Sequence, residues 1–497
     1  MNIDAATAIA REILLEDDAI GAVEFHGDSM LPVLRDGDRL AVDSIEWERI
    51  APGDIVIYRF DDRFPALRVV EKLADKLFLK ADNWPAPIFE VWPEDILGLV
   101  VGLRRNGVEI SSASTVWRRA AARAVLAYRV RKHAGTVRRR AVRLAQRLRA
   151  DVRALGSGLI GMPSALQINV SSVCNLKCRM CPYLGVHRDD SYLTFMSEET
   201  FERLLPAVKL VGAVLFSGSG EPLYNRNLPR FIERVRRESP STQISLTTNG
   251  TLLRQDVAEE LVRLQLDTLT ISIDGSTAAT VESIRRNSDF ERIIANVTQL
   301  AAIKRARGSR YPVLQANYMM GYGTYRELPQ FIRLARRIGI EQVHLLEIQP
   351  SCREDVRDNL AAGIAGDEGR SLRYAIQIGH RLGIAIHLPS VSPNACLFPY
   401  HPHIGENGDV YPCCFLDYEG RTLFDGTEEV TLQPLAFGNA TAPDFRASWN
   451  SREYRRFRRR NKKGDFPGPC RSCFDIRATA ASRVAQVVGP RPQQPGR

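Results

Sequence analysis

From about residue 164 the chain alternates short apolar runs with longer stretches whose apolar positions recur three or four apart. That alternation predicts repeated strand–helix units. The strand candidates are 166–170, 213–216, 243–247, 268–273, 313–319 and 342–346, and helical spacing fills 198–210, 228–237, 256–264, 290–306 and 325–338. Such a series forms a parallel sheet, either doubly wound or curled into a barrel. Ahead of it, residues 1–105 read differently. Turn signals at Asp36-Gly37-Asp38 and Pro52-Gly53-Asp54 separate short alternating segments such as 54–60 and 97–103, the signature of a small, mostly β domain. Past residue 390 the alternation fades.

Between these regions lies an Arg- and Ala-rich connector with helical spacing of Val125 and Tyr128, then of Leu144, Leu148 and Val152, and a break at Gly135. Two helices are expected there. The pattern divides the chain into 1–105, the connector 106–160, a βα region 161–388, a cysteine-bearing region 389–478 and a Pro-rich tail 479–497, expected to be disordered.

Charge changes the picture in one place. The chain carries +10 overall, but Trp117 to Ala154 holds twelve arginines and Lys132 against Asp151 alone, a local +12 that leaves −2 for everything else. The folded regions are close to neutral. A solvated linker is the plain reading of the connector, and a basic helix lying on anionic lipid is the alternative. Nucleic acid is disfavoured, because no base-reading module accompanies the charge. No run of 18 apolar residues exists, and acids punctuate Met1–Asp18, so neither a membrane span nor a signal peptide is expected. The expected location is cytoplasmic, with peripheral contact at the inner membrane surface as the alternative that the connector offers. In a reducing compartment the nine cysteines read as metal or cluster ligands before disulfides.

Cys174, Cys178 and Cys181 follow the first predicted strand in a C-x3-C-x2-C spacing. Three thiolates on one tight loop can hold three irons of a [4Fe–4S] cluster and leave the fourth open. Zinc would want a fourth ligand close by, and none follows. Here the sequence resembles the radical S-adenosylmethionine superfamily, over roughly residues 164–350. The resemblance implies that the open iron chelates the amino and carboxylate groups of S-adenosylmethionine. Reductive cleavage of that cofactor then yields a 5′-deoxyadenosyl radical.

Other predicted strand ends match the same family. Ser217-Gly218-Ser219-Gly220-Glu221-Pro222 is similar to its Gly-Gly-Glu-Pro turn, which meets the methionyl amino group; Ser219 stands where the family has the first glycine. Glycines are expected there because the backbone itself approaches the ligand. The third strand ends Thr247-Thr248-Asn249-Gly250 and the fourth Ser272-Ile273-Asp274-Gly275, with Ser272 at the ribose-facing position. Arg285 falls where relatives place a basic residue near the ligand carboxylate, and Met180 occupies the position against the adenine. All lie at C-terminal strand ends, where parallel barrels place their chemistry. The implied cofactor-binding set is Met180, Gly218, Gly220, Glu221, Pro222, Asn249, Ser272, Asp274 and Arg285. The implied fold is α/β, a partial (β/α)6 barrel.

Downstream, Cys396 and Cys413 bracket Gly408 as C-x11-G-x4-C, and Cys470 and Cys473 close as C-x2-C. This arrangement resembles the SPASM/Twitch extension of radical enzymes, with Phe437-Gly438-Asn439 and Ala447-Ser448-Trp449-Asn450 fitting its connecting segment. Four thiolates would close one auxiliary [4Fe–4S] cluster. A structural zinc site is the alternative, since the same spacing serves zinc. Cys414 reads as a packed thiol, and so does Cys352, with substrate-facing hydrogen-atom donor as its weaker alternative.

The N-terminal region, with Gly27-Asp28-Ser29-Met30 and later Lys80-Ala81-Asp82-Asn83, resembles the signal-peptidase-like serine peptidases over about residues 20–103. There the serine before methionine is the nucleophile, and a lysine or histidine before an Arg-Val pair takes its proton. Leu67 precedes Arg68-Val69 here. A serine without its base is a weak nucleophile, so the fold is expected to persist without proteolysis and could still hold an extended peptide.

The leading functional expectation is an oxidoreductase or maturase that abstracts a hydrogen atom and modifies a ribosomal peptide, served by a flavodoxin- or ferredoxin-type electron donor. A radical dehydrogenase of a small alcohol or sugar is the first alternative. A membrane-associated or regulatory peptidase with a sensing cluster is another, and the missing base counts against it.

Overall fold

The computed structural model describes residues 21–473 apart from 27–29, 32, 44–46, 60–63, 75, 83–87, 116, 129–160, 182, 184–193, 322, 349–366, 390–395, 397, 420, 425–427, 443 and 469. Ser29, Asn83, Cys352, the expected second connector helix and the C-terminal tail lie outside the described residues. The chain forms two compact units, Met1–Gly156 and Ser157–Arg497.

In the first unit, β1 (Gly21–Phe25), β2 (Asp38–Asp43), β3 (Ile55–Tyr58), β4 (Ala66–Lys72), β5 (Leu77–Lys80), β6 (Ile88–Val91), β7 (Ile96–Arg105) and β8 (Val108–Ser111) make one antiparallel sheet. β8 pairs β7, Gly102 opposite Ser111, so the sheet runs past the expected limit at residue 105. Residues 117–128 are helical, as the connector's spacing predicts. Two ion pairs, one of them wholly buried, pin the strands. Arg68 on β4 is fully buried and grips both oxygens of Asp82 at 2.7 and 2.6 Å. Arg105 holds Asp38 in the same two-pronged way, at 2.8 and 2.6 Å. Forked Arg–carboxylate pairs of this kind fix geometry as well as charge.

The second unit is built on β9 (Ala165–Ile168), β10 (Lys177–Cys178), β11 (Ala213–Phe216), β12 (Gln243–Thr248), β13 (Thr268–Ser272), β14 (Arg285–Arg286), β15 (Val313–Met320), β16 (Gln342–Glu347) and β17 (Ala385–His387). Helices α1 (Glu198–Val208), α2 (Leu228–Glu238), α3 (Gln255–Arg263), α4 (Ala278–Ile284), α5 (Phe290–Ala306), α6 (Leu328–Ile338) and α7 (Asp367–Leu382) intervene. β9, β11, β12, β13, β15, β16 and β17 lie side by side in chain order, all parallel. Order without reversal settles the choice left by the sequence: the sheet is wound one way, as in a partial (β/α) barrel, and has no doubly wound switch point.

Alternation within the strands decides which face is core. Leu166, Phe216, Leu246, Ile271, Ala316 and Val343 are essentially inaccessible. Their neighbours Gln167, Ser245, Thr247, Gln315, Asn317, Gln342 and His344 are half-buried and polar. Helix ends match local chemistry. The Ser197 hydroxyl caps α1 by accepting from Thr200 N at 3.0 Å. Gly339 ends α6 at φ 91°, and a Cβ there would fall 2.6 Å from that of Ala301 on α5.

The cysteine-bearing C-terminal region does not stand apart from the sheet. β18 (His403–Ile404) adds to the free edge of β9 in parallel, with His403 opposite Gln167, and β19 (Val410–Tyr411) folds back on it. Beyond them come the hairpin β20 (Arg421–Phe424) and β21 (Glu429–Leu432), then α8 (Phe445–Trp449) and α9 (Arg452–Lys462).

Candidate active site

The loop leaving β9 carries Cys174, Cys178 and Cys181, and it is anchored at both ends. β10 pairs β14 with Cys178 opposite Arg285, which puts the Arg285 guanidinium 3.9 Å from the Cys178 sulfur. Arg285 also ion-pairs with Asp274 at 2.7 Å, and the second Asp274 oxygen accepts from Met319 N at 2.9 Å. Arg285 is therefore fixed by Asp274 and turned toward a cysteine ligand candidate, a role beyond the carboxylate contact expected from sequence. Met180 packs with Ile284 and Ile348 against Cys178 and Met319.

The glycines of the 217–222 turn also serve a purpose within the protein. A Cβ on Gly218 would lie 2.0 Å from Asn169 Oδ1, and one on Gly220 would lie 2.4 Å from Val173 O. At Gly218 the close neighbour is the Asn169 side chain, and at Gly220 it is the backbone of the cysteine loop. Gly220 N and Glu221 N donate to Ser171 O and Val173 O at 2.9 and 2.8 Å, locking turn to loop. Glu221, expected at the ligand, is buried and spends both carboxylate oxygens on protein. They accept from Leu223 N (3.1 Å), Thr248 Oγ1 (2.7 Å) and Asn249 N (2.7 Å). Burial pushes its carboxyl up, against those donors. Pro222 is buried beside it.

Asn249 continues the chain of ties. Its Nδ2 donates to Asn175 Oδ1, inside the cysteine loop, at 2.9 Å, and Asn175 Nδ2 donates to Thr251 Oγ1 at 2.8 Å. Asn175 was not singled out by the sequence. Ser272 ends β13 and lies in register with Asn317, His344 and His387 on the next three strands. The two histidine rings stack at 4.4 Å, and His387 Nε2 meets Gln342 Oε1 at 3.2 Å. These three partners also escaped sequence reasoning.

Three thiols crowd one loop. Burial pushes Cys174 up to about 12 and Cys181 up to about 11, and raises Cys178, where Arg285 pulls the other way. A bound cation would reverse the direction, because thiolates rather than thiols ligate metal. Iron fits this donor set. Three thiolates on a [4Fe–4S]2+ core leave a charge of about −1, and the buried Arg285 is placed to offset it.

The second set meets around an apolar cavity of about 40 Å³ lined by Cys396, Cys413, Cys470 and Cys473. Burial raises the Cys413 thiol and pushes Cys470 up to about 12. Among the described residues no three His, Cys, Asp or Glu side chains gather tightly enough for a single ion. The cysteines qualify as two sets by loop, cavity and mutual charge. Gly408, at φ 87°, takes the left-handed turn the spacing requires. A Cβ on Gly438 would lie 2.6 Å from Ser448 Oγ, so the two expected connecting segments pack on each other.

Two buried networks join the cysteine loop to this region. Tyr183, two residues after Cys181, donates to Cys414 O at 2.9 Å, and the Arg421 guanidinium lies 3.6 Å from its ring centre. Arg421 pairs with Asp417 at 2.9 Å, and Asp417 meets His403 Nε2, also at 2.9 Å. Cys414 is thus tied through its carbonyl. The other network explains Ser219. Asn169 Nδ2 donates to Ser219 Oγ (2.7 Å) and Glu406 Oε1 (2.9 Å), and Tyr418 OH donates to Glu406 at 2.7 Å.

Burial pushes the Glu406 carboxyl up to about 7. An acid raised in the folded state keeps its proton where the unfolded chain has lost it. Its contribution is therefore present at low pH and lost as pH climbs from about 4.5 through about 7. Thermal unfolding near pH 5 and pH 8 should show E406Q gaining on the wild type as pH rises. A pH-independent difference between the two would contradict the assignment.

Comparison with known proteins agrees with this layout. Residues 168–335 match the Radical SAM superfamily, residues 396–474 an iron–sulfur cluster-binding domain (SPASM) and residues 1–101 the Peptidase S24-like family. A tungsten-containing aldehyde ferredoxin oxidoreductase cofactor-modifying protein of Pyrococcus furiosus is 26% identical over 323 residues, 62% of this chain and 86% of that protein. A probable GTP 3′,8-cyclase of Metallosphaera sedula is 27% identical over 37% of this chain, which spans 56% of the cyclase. Streptococcus suis SuiB, solved bound to the precursor peptide SuiA, aligns with TM-score 0.46 at 17% identity, covering 71% of this chain and 74% of SuiB.

Residues 168–335 are a radical SAM domain and residues 396–474 a SPASM domain, and the protein is an enzyme. It takes a [4Fe–4S] cluster with S-adenosylmethionine, and auxiliary iron–sulfur as well. Its N-terminal region is peptidase S24-like. There Leu67, at the base position, is buried in β4, and the Lys72 ammonium is engaged by the carbonyls of Trp47 and Ile50 at 2.6 and 2.9 Å. Among the described residues no helix is long and apolar enough to cross a membrane.

Proposed function

We propose that the enzyme abstracts a hydrogen atom from a peptide substrate and completes a two-electron oxidation of it. The observation that carries this reading is the joining of the strand-end turns to one cysteine loop, through Glu221, Asn249 and Asn175. Cys174, Cys178 and Cys181 hold the radical-site cluster in this reading, and Cys396, Cys413, Cys470 and Cys473 the auxiliary one. When bound, the first cluster and S-adenosylmethionine supply the one-electron chemistry that removes the hydrogen atom.

The protein's own work is placement. Glu221 braces the turn at Gly218–Pro222, and Ser272 would face the ribose. Arg285, oriented by Asp274, would offset cluster charge at Cys178, and Met180 would give the adenine an apolar seat. Ser272, Asn317, His344 and His387 form a row of hydrogen-bonding side chains in register across four strands, suited to the amides and hydroxyls of a peptide. The peptidase-like region supports the same substrate class: a fold of that type without its base holds a chain without cutting it. A flavodoxin- or ferredoxin-type donor would deliver electrons. The basic connector would bring the enzyme to the inner membrane surface from the cytoplasm.

Iron counting tests the ligand sets. Anaerobically reconstituted protein should hold about eight irons per chain, and C174A/C178A/C181A about four. Full iron retention in the triple variant would contradict the assignment.

A further inference from the structure

The cavity of the four C-terminal cysteines has one other polar wall, Asn461, next to the last residue of α9. Its side chain is 0% exposed, and neither its amide nitrogen nor its amide oxygen has a hydrogen-bond partner among the described residues. A buried amide unpaired at both ends is rare in a folded protein. The cavity wall offers it nothing, because Phe398, Phe415, Leu423 and Phe457 present only carbon. The cysteine thiols are the only polar groups it shares the space with.

A [4Fe–4S]2+ core closed by four thiolates carries about −2, and every sulfur on it is a hydrogen-bond acceptor. Of the two ends of an amide, only the N–H2 end meets an anionic sulfur favourably, and rotation about Cβ–Cγ can bring either end round. We infer that Asn461 Nδ2 donates a hydrogen bond to a sulfur of the auxiliary cluster and raises its reduction potential. The inference rests on the proposal that these four cysteines hold that cluster. Reduction adds negative charge to the cluster, so a donor bond strengthens on reduction and stabilises the reduced form more than the oxidised one. Without such a donor, an apolar cavity would hold the cluster at a lower potential, where it accepts an electron from a substrate radical less readily. Asn461 would thus set how well the cluster accepts.

The test is a potentiometric titration of the reconstituted full-length enzyme, followed by electron paramagnetic resonance. Added S-adenosylmethionine shifts the radical-site signal, and the unshifted signal reports the auxiliary cluster. N461L, close in size but without a donor, should keep about eight irons and move the auxiliary midpoint to a more negative value. N461S, with a shorter donor, should fall between N461L and wild type. An unchanged midpoint in N461L overturns the inference. If N461L does not retain its auxiliary iron, N461S decides: a negative shift supports the inference and a wild-type midpoint overturns it. A wild-type protein holding only about four irons, with no auxiliary signal, would remove the cluster assignment and this inference with it.

Discussion

C178A should form no 5′-deoxyadenosine from S-adenosylmethionine under strong anaerobic reduction, whereas the wild type should form it slowly even without its substrate. The expected loss is complete, because Cys178 is one of only three thiolates on its loop and no other cysteine lies near it in sequence. It is also the cysteine whose backbone pairs with β14 and whose sulfur faces Arg285. Removing it would leave Arg285 and Asp274 in place, buried and paired at 2.7 Å, so the barrel should still fold. About four irons should remain, those of the auxiliary set. Deoxyadenosine and methionine, measured together in the quenched reaction, give the answer. Wild-type yields from C178A would sink the assignment of the cysteine loop. Methyl transfer with no deoxyadenosine from the wild type would place the chemistry in another class.

Elements whose evidence is local were legible in the sequence. Residues 213–216 and 290–306 were expected as strand and helix, and both form at those bounds. Apolar period and turn residues report burial over a few positions, and there they agreed with the tertiary fold. The motif residues after β11, β12 and β13 fall at strand ends, as their order along the chain implied, whereas Arg285 sits past α4 on β14.

Long-range contacts left no period to read. Asn169 finds Glu406 across 237 positions, and Tyr183 finds Cys414 across 231. β18, two residues long, continues the sheet from a region whose alternation had faded. Polar side chains such as Asn175, Asp417 and Arg421 look like ordinary surface residues until their partners are known. The glycines of the 217–222 turn show a different limit. Their residue type announced a close approach, and only the structure shows the groups that make it, the Asn169 side chain at Gly218 and the cysteine-loop backbone at Gly220.

C470A/C473A should separate the two clusters by function. Both thiols belong to the cavity set, remote in sequence from the loop at 174–181, and neither lies in a segment that braces Glu221 or Arg285. The double variant should therefore retain the radical-site cluster and about four irons. It should cleave S-adenosylmethionine reductively at a rate near that of the wild type. Product is where it should fail. Removing a hydrogen atom takes one electron from the substrate, and a two-electron oxidation needs an acceptor for the second. With Cys396 and Cys413 alone in the cavity, a four-iron cluster loses half its ligands and that acceptor disappears. The expected result is deoxyadenosine without oxidised product, a loss of coupling of a hundredfold or more, equivalent to about 2.7 kcal/mol at the step that hands on the electron. Both quantities come from one anaerobic reaction with the substrate peptide once it is identified, the auxiliary iron having been verified absent. Undiminished product in that variant would make the cluster structural, with the four cysteines holding β20, β21 and α9 together rather than passing charge.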